Sequence, residues 1–148
     1  MKLSLTALFV AVTLAGTAFA TPPVAPPPAS HAKVLLVGMA GTEDMQRLIA
    51  PYHHAVLMKQ SGKAEAVAIV IYGRAVFGLV RAAKGLPDKL RGAQQAALAA
   101  GIPIYVCEHS LEMNGISRDA LIPGVAIVPS GAVKIAEEIG EGFTPIQY

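Results

Sequence analysis

Apolar residues in this chain fall into short unbroken runs, separated by stretches with helical spacing. Lys33-Val34-Leu35-Leu36-Val37-Gly38-Met39 is one run, and Ala66-Val67-Ala68-Ile69-Val70-Ile71-Tyr72 is the clearest. Ile102-Pro103-Ile104-Tyr105-Val106 and Gly124-Val125-Ala126-Ile127-Val128 follow, with Phe143-Thr144-Pro145-Ile146 as a last, shorter run. The first, a continuous apolar run, predicts a strand covered on both faces, and the others predict further strands.

The intervening stretches predict helices. Thr42 is placed to cap the first, with Glu43 and Asp44 favourable near its N-terminus. Met45, Leu48, Ile49, Tyr52 and Val56 then recur at helical spacing, and Ser61-Gly62 forms the stop. Pro51 interrupts this pattern and predicts a kink or a restart. Ala75 to Ala83 reads as a short helix, broken by Gly85-Leu86-Pro87. Pro87-Asp88 opens a better one, with Leu90, Ala93, Ala97, Leu98 and Ala100 available for packing and Gly101 at its end. Glu108-His109-Ser110 through Asn114-Gly115 reads as a turn-rich stretch. Ser117 is placed to cap a short helical turn, and Ser130 caps Ala132 to Ile139, closed by Gly140. Strand and helix alternate throughout. That predicts an α/β domain with a largely parallel sheet and helices on both faces, its strand order left open by the pattern.

The N-terminus has a different character. Met1-Lys2 is a short basic start, Leu3 to Gly16 is apolar apart from Ser4, Thr6 and Thr13, and Ala18-Phe19-Ala20 has the small-x-small form of a cleavage site. This is the layout of a secretory signal peptide cut before Thr21. Its apolar core is shorter than the ~20 residues needed to span a bilayer, so no stable membrane insertion is expected after cleavage. Thr21 to Ser30 reads TPPVAPPPAS, in which proline removes backbone donors and favours extended geometry. The chain therefore divides into a signal peptide (1–20), a Pro-rich linker (21–32) and one domain (33–148), long enough for a single core. The leader resembles a bacterial Sec-type signal, which implies the periplasm.

Charge narrows the partners. Twelve basic and ten acidic residues give a formal +2, and loss of Lys2 with the leader leaves 11 − 10 = +1. Lys and Arg are scattered, so there is no electrostatic footprint for nucleic acid. The charged fraction is 15%, against ~25% for a typical soluble domain. A well-buried sheet, or surface hidden in an oligomer, accounts for this.

The candidate chemistry centres on Cys107, the only cysteine, which therefore has no partner for an intramolecular disulfide. It sits where the third apolar run ends, and ligands of parallel α/β sheets bind beyond the carboxyl ends of the strands. A lone thiol there is a candidate nucleophile or sulfur carrier; the other reading is a buried residue that fills space. Arg74 follows the second run. If those strands are neighbours, its cation can lower the Cys107 pKa, unless it faces solvent instead. His109, two residues beyond Cys107, is a candidate proton-transfer partner or a surface loop histidine. Cys107, Arg74 and His109 form the candidate catalytic set. Thiolate attack and transfer need no cofactor. His53-His54 is a poor chelate because adjacent helix positions diverge, and no HExxH or paired-cysteine pattern exists, so no metal site is expected. Gly38-x-x-Gly41-Thr42 lacks the endings of a phosphate loop, and no serine sits in a GxSxG elbow.

Three segments carry a family resemblance: AVAIVIYGRAVFGLV, GIPIYVCEHSLEMNGIS and LIPGVAIVPSGAVKIAEEIGEGFTPI. Together they resemble the DsrE/DsrF-like family of sulfur-handling proteins, over roughly Lys33 to Tyr148. In that family an apolar strand delivers a cysteine and a Gly-containing turn follows, as Cys107 and Gly115 do here. Family members often carry Arg before that glycine, where this chain has Asn114. The resemblance implies a three-layer α/β sandwich and a homo-oligomer, commonly a trimer or hexamer. It also implies a cysteine that accepts sulfur as a persulfide and passes it on, with a donor or acceptor protein or a small thiol as partner. The better understood branches are cytoplasmic, so a signal peptide points to an exported branch. Two functional readings stand: a periplasmic sulfur-relay or thiol-redox protein, and a non-catalytic oligomeric protein that binds a small ligand and uses Cys107 for packing.

Overall fold

Every strand of the domain runs parallel to its neighbours, so each connection must cross a face of the sheet. A computed structural model describes residues 32–148. The signal-peptide reading, and the linker reading apart from Ala32, lie outside the described residues. The strands are β1 (Ala32–Gly38), β2 (Ala64–Ile71), β3 (Ile104–Cys107), β4 (Ala126–Val128) and β5 (Phe143–Gln147). Their order in the sheet is β4-β3-β2-β1-β5. The chain builds outward from β1 to β4, then returns to place β5 on the opposite side of β1. Gly38 pairs with Ile71, Ile71 with Val106, and Cys107 with Val128, so these strand ends lie at one edge of the sheet.

The helices are α1 (Met45–Gln60), α2 (Asp88–Ala99), α3 (Glu108–Met113) and α4 (Gly131–Gly140). Side chains alternate along a strand, so an unbroken apolar run feeds two cores at once. Leu36, Ile69, Ile71 and Val106 pack with Leu48 and Tyr52 of α1 and Leu90 and Ala97 of α2. Leu35, Val37, Ala68 and Val70 face the other way, against Ile135 of α4. Burying each large aliphatic side chain contributes about 1.5–3 kcal/mol, which is what holds the central strands in place. One face thus carries two long helices and the other carries α4. The strand–helix alternation predicts these helices on both faces, and the family resemblance implies the three-layer α/β sandwich they form.

The structure differs from the sequence pattern at several points. Asp44 rather than Thr42 caps α1, its carboxylate accepting from the Arg47 N–H at 3.1 Å. The helix does not restart at Pro51, which lies inside one continuous element. Proline removes the bond to the carbonyl four residues back, but Pro51 is buried beside Gly38, and packing of the Leu48, Tyr52 and Ala55 face outweighs that loss. The segment after β2 is a 3₁₀ turn over Gly73–Leu79, not a helix to Ala83, because Val80 leaves it to bridge Leu121. A further 3₁₀ turn covers Arg118–Ala120 and begins after Ser117, whose side chain makes no capping bond. Glu108 to Met113 is the helix α3 rather than a turn. Among the described residues, no helix is long and apolar enough to cross a membrane.

Candidate thiol site at the ends of β2 and β3

Cys107 is the last residue of β3 and the residue before α3. The alternation along β3 sends Tyr105 and Cys107 toward the α4 side, while Ile104 and Val106 enter the larger core. The thiol is buried, with the residue 4% exposed. Gly131, the first residue of α4, closes over it. A Cβ built on Gly131 would lie 3.1 Å from the Cys107 Cβ and 3.0 Å from the Tyr72 Cβ, closer than side chains tolerate without shifting. Glycine is therefore what lets the start of α4 reach the sulfur.

Two opposing effects set the thiol's acidity. Burial pushes the Cys107 pKa up, because it disfavours the thiolate. Hydrogen bonds from the Ser110 hydroxyl and from the backbone N–H groups of Gly131, Ser110 and His109 push it down. The donors win, and the thiol is held below its ordinary value. Ser110 is itself buried, and its hydroxyl oxygen accepts from the Gly73 N–H at 2.9 Å. Gly73 adopts φ +59°, a left-handed conformation that glycine enters without penalty, and this turns its N–H toward α3. Asn114 Nδ2 donates to the Ser110 carbonyl at 2.7 Å and pins the far end of the short helix.

β2 and β3 are neighbours, so Arg74 and Cys107 do leave adjacent strands. The Arg74 guanidinium instead pairs with Glu43, Nη2 to Oε2 at 3.5 Å, with both side chains exposed. It is not among the groups that shift the thiol. His109 contributes its backbone N–H, while its side chain is exposed. Glu108, on the same helix, pairs with Arg118. The groups that sequence reasoning missed are Ser110 and Gly131. Ser110 stands three residues after the cysteine, the spacing of one helical turn, which would have pointed to it had α3 been foreseen.

Beside the start of α4 is a small cavity of about 180 Å³, lined by Val128, Pro129, Ser130, Val133, Lys134 and Glu137. A larger one, about 450 Å³, is lined by Met45, Ile49, His53 and Pro87 among others and lies away from the thiol. No cluster of three or more His, Cys, Asp or Glu side chains that could hold a metal occurs among the described residues.

A parallel α/β sandwich with a donor-ringed cysteine at a strand end defines a class, and the comparisons give that class its family. The model of the DsrE/DsrF-like family matches residues 32–148, and the chain belongs to that family. Among solved structures, the YchN protein from E. coli is similar at a TM-score of 0.68 and 19% identity, covering 79% of this chain and 99% of that one. A protein of unknown function from Methanobacterium thermoautotrophicum, MTH1491, gives 0.59 and 21%, covering 80% and 100%. A third, BT1422 from Bacteroides thetaiotaomicron, gives 0.60 and 14%, covering 83% and 100%. At these identities the likeness is one of fold. No curated protein matches.

Proposed function

We propose that this chain is an exported, periplasmic sulfur-relay or thiol-redox protein that carries sulfur on Cys107. The observation that carries the reading is the place of the one cysteine, at the C-terminal end of β3 with Gly131 of α4 packed against it. Membership of the DsrE/DsrF-like family supports a sulfur-relay role in general. The basic, apolar and small-residue layout of Met1 to Ala20 supports export.

The reaction needs only a thiolate and a sulfur donor. Cys107 sulfur attacks the terminal sulfur of a persulfide R–S–SH, a new S–S bond forms at Cys107, and R–S⁻ departs with the electron pair of the old one. Transfer onward reverses the roles: an acceptor thiolate takes the outer sulfur and Cys107 leaves as thiolate. There is no net oxidation, and no cofactor enters. Donors that lower the thiol pKa serve both steps, because they favour Cys107 as nucleophile and as leaving group. Self-association, as a trimer or hexamer, belongs to the same reading. Val133 and Ile139 on α4 are 57% and 48% exposed, and Ile146 on β5 is 37% exposed, an apolar surface suited to a second copy.

Intact mass spectrometry of protein from the periplasm tests the proposal. The expected result is a chain beginning at Thr21 with one added sulfur that reductant removes and that Cys107→Ser abolishes. A chain beginning at Met1, or a wild-type thiol that gains no sulfur from a persulfide donor, would overturn it. One observation favours the second reading, a ligand-binding protein with a structural cysteine: the burial of Cys107. Alkylation only after denaturation would select that reading.

A further inference from the structure

We propose that Arg81 and Arg91 form a binding site for a small organic carboxylate with an apolar body, in a cavity of about 240 Å³ between α2 and the segment that leads into β4. The site stands apart from Cys107 and does not rest on the sulfur-carrier reading. It belongs to α2, which covers the face of the sheet opposite α4. The cavity is lined by Arg81, Arg91 and Gln94, together with the apolar side chains of Leu98, Ile122 and Pro123.

Hydrogen bonds tie the walls to one another. Val80 and Leu121 form an antiparallel bridge. Around it the Arg81 N–H donates to the Ala120 carbonyl at 2.7 Å, and the Ile122 N–H to the Leu79 carbonyl at 2.9 Å. The Arg91 guanidinium fastens α2 to the same segment, Nη1 donating to the Gly78 carbonyl at 3.1 Å and Nη2 to the Val80 carbonyl. Gln94 is fully buried; its Oε1 accepts from Arg91 Nη1 at 3.0 Å, and its Nε2 donates to the Gly78 carbonyl at 2.9 Å. Farther along α2, Leu98 packs on Gly124, where an added Cβ would lie 3.2 Å from the Leu98 Cδ2. A cavity framed in this way is preformed, so a ligand has little ordering left to impose.

What this frame leaves unmet is charge. A guanidinium has five N–H donors and no acceptor. Arg91 uses three of them on neutral oxygens. Arg81 uses one, from Nη2 to the Asp119 carbonyl at 2.7 Å. Among the described residues, neither guanidinium has a carboxylate within 4.0 Å, whereas Arg47, Arg74 and Arg118 each pair with one. Carbonyl oxygens hold Arg91 in place but cancel none of its net charge, and a half-buried charge without a counter-ion is unfavourable. Two fixed cations with N–H groups to spare match a carboxylate, whose paired oxygens accept from the planar fork. The walls select the rest of the ligand. Leu98, Ile122 and Pro123 cannot replace the hydration of a bare inorganic anion, but they cover an apolar body. A dry cavity of about 150 Å³ takes a benzene ring. The larger volume here, about 240 Å³, holds a ring and its carboxylate together.

The experiment titrates benzoate, benzamide and inorganic phosphate separately into the full chain at about 0.15 M salt, where long-range attraction to exposed charge is screened. Binding is read from the side-chain Nε–H signals of Arg81 and Arg91 in nitrogen-resolved NMR spectra. Benzoate is expected to shift both signals to saturation with a Kd of about 1 mM or tighter. Benzamide, its neutral analogue, and phosphate, which has no apolar body, should each bind about tenfold more weakly or worse. Arg81→Gln alters an exposed side chain and should weaken benzoate about tenfold, with the melting temperature close to that of wild type. Arg91→Lys keeps the charge but loses the fork, and should weaken benzoate as well. Should that variant not fold, Arg81→Gln alone decides. Absence of saturation by about 10 mM benzoate overturns the proposal. So does benzamide or phosphate binding as tightly as benzoate, or an undiminished benzoate affinity in Arg81→Gln.

Discussion

Gly131 and Cys107 approach so closely that a Cβ on the glycine would sit 3.1 Å from the cysteine Cβ. Together with the contact to Tyr72, this makes the first residue of α4 a lid over the thiol and one of its hydrogen-bond donors.

Gly131→Ala should therefore destabilise the domain. Alanine ordinarily favours a helix over glycine by 0.5–1 kcal/mol or so, roughly. Here the added methyl meets Tyr72 and Cys107, and overpacking of this kind costs about 1–3 kcal/mol. The expected outcome is a lower denaturation midpoint and a higher thiol pKa, as α4 is pushed back and its N–H moves away. A more stable variant with an unchanged alkylation profile would contradict the contact.

The lowered Cys107 pKa makes stability depend on pH with a definite sign. The folded value lies below the unfolded one, so the folded state favours the thiolate. Its contribution is fully present above the unfolded thiol pKa and is lost as pH falls through the folded value. Wild type should gain stability relative to Cys107→Ser as pH rises from neutral to about 9.5, beyond the free-thiol value of about 8.5. Urea titrations of both proteins at the two ends of this range read the difference. A constant or shrinking difference would mean that burial, not the donors, dominates.

Arg74→Ala should leave the thiol almost untouched. The Arg74–Glu43 pair is exposed on both sides, and such pairs are worth about 0–1 kcal/mol. Equal alkylation profiles for wild type and variant are expected, along with a stability change inside that range. A profile displaced to higher pH would return Arg74 to the site as a modulator.

Beneath α4, Lys134 Nζ lies 2.8 Å from Glu138 Oε1 and 4.6 Å from the centre of the Tyr105 ring. Glu138 is buried, 4% exposed, and its carboxylate holds the Lys134 pKa up through that bond. Lys134→Met removes the partner and leaves a buried carboxylate, a change that costs about 3–5 kcal/mol. The double variant Lys134→Met, Glu138→Leu should recover most of this, because no charge remains to be desolvated. Thermal unfolding of the single and double variants measures the coupling; equal losses would show that the pair is not interacting.

Much of this fold was written in local pattern. The five apolar runs are the strands β1 to β5, with ends displaced by a residue or two, but only the inner strands are buried on both faces, and β5 at the edge is largely exposed. Cys107 at a strand end followed from the same reading, because hydrophobic burial acts on each segment independently of its neighbours. Tertiary structure decided the rest. Glu108 to Met113 lacks helical periodicity, since only Ser110 and Leu111 are buried, and α3 forms because Leu111 enters the core and Ser110 meets Gly73. That meeting joins residues 37 apart in sequence, so no local signal could announce it. Arg74 was readable as a cation near a strand end, but its choice of Glu43 over the thiol depends on where a long exposed side chain finds a carboxylate. The thiol's environment comes from Gly73, Ser110 and Gly131 on three separate segments. Short-range donors act only over the last few ångströms, and only the folded sheet brings those segments together.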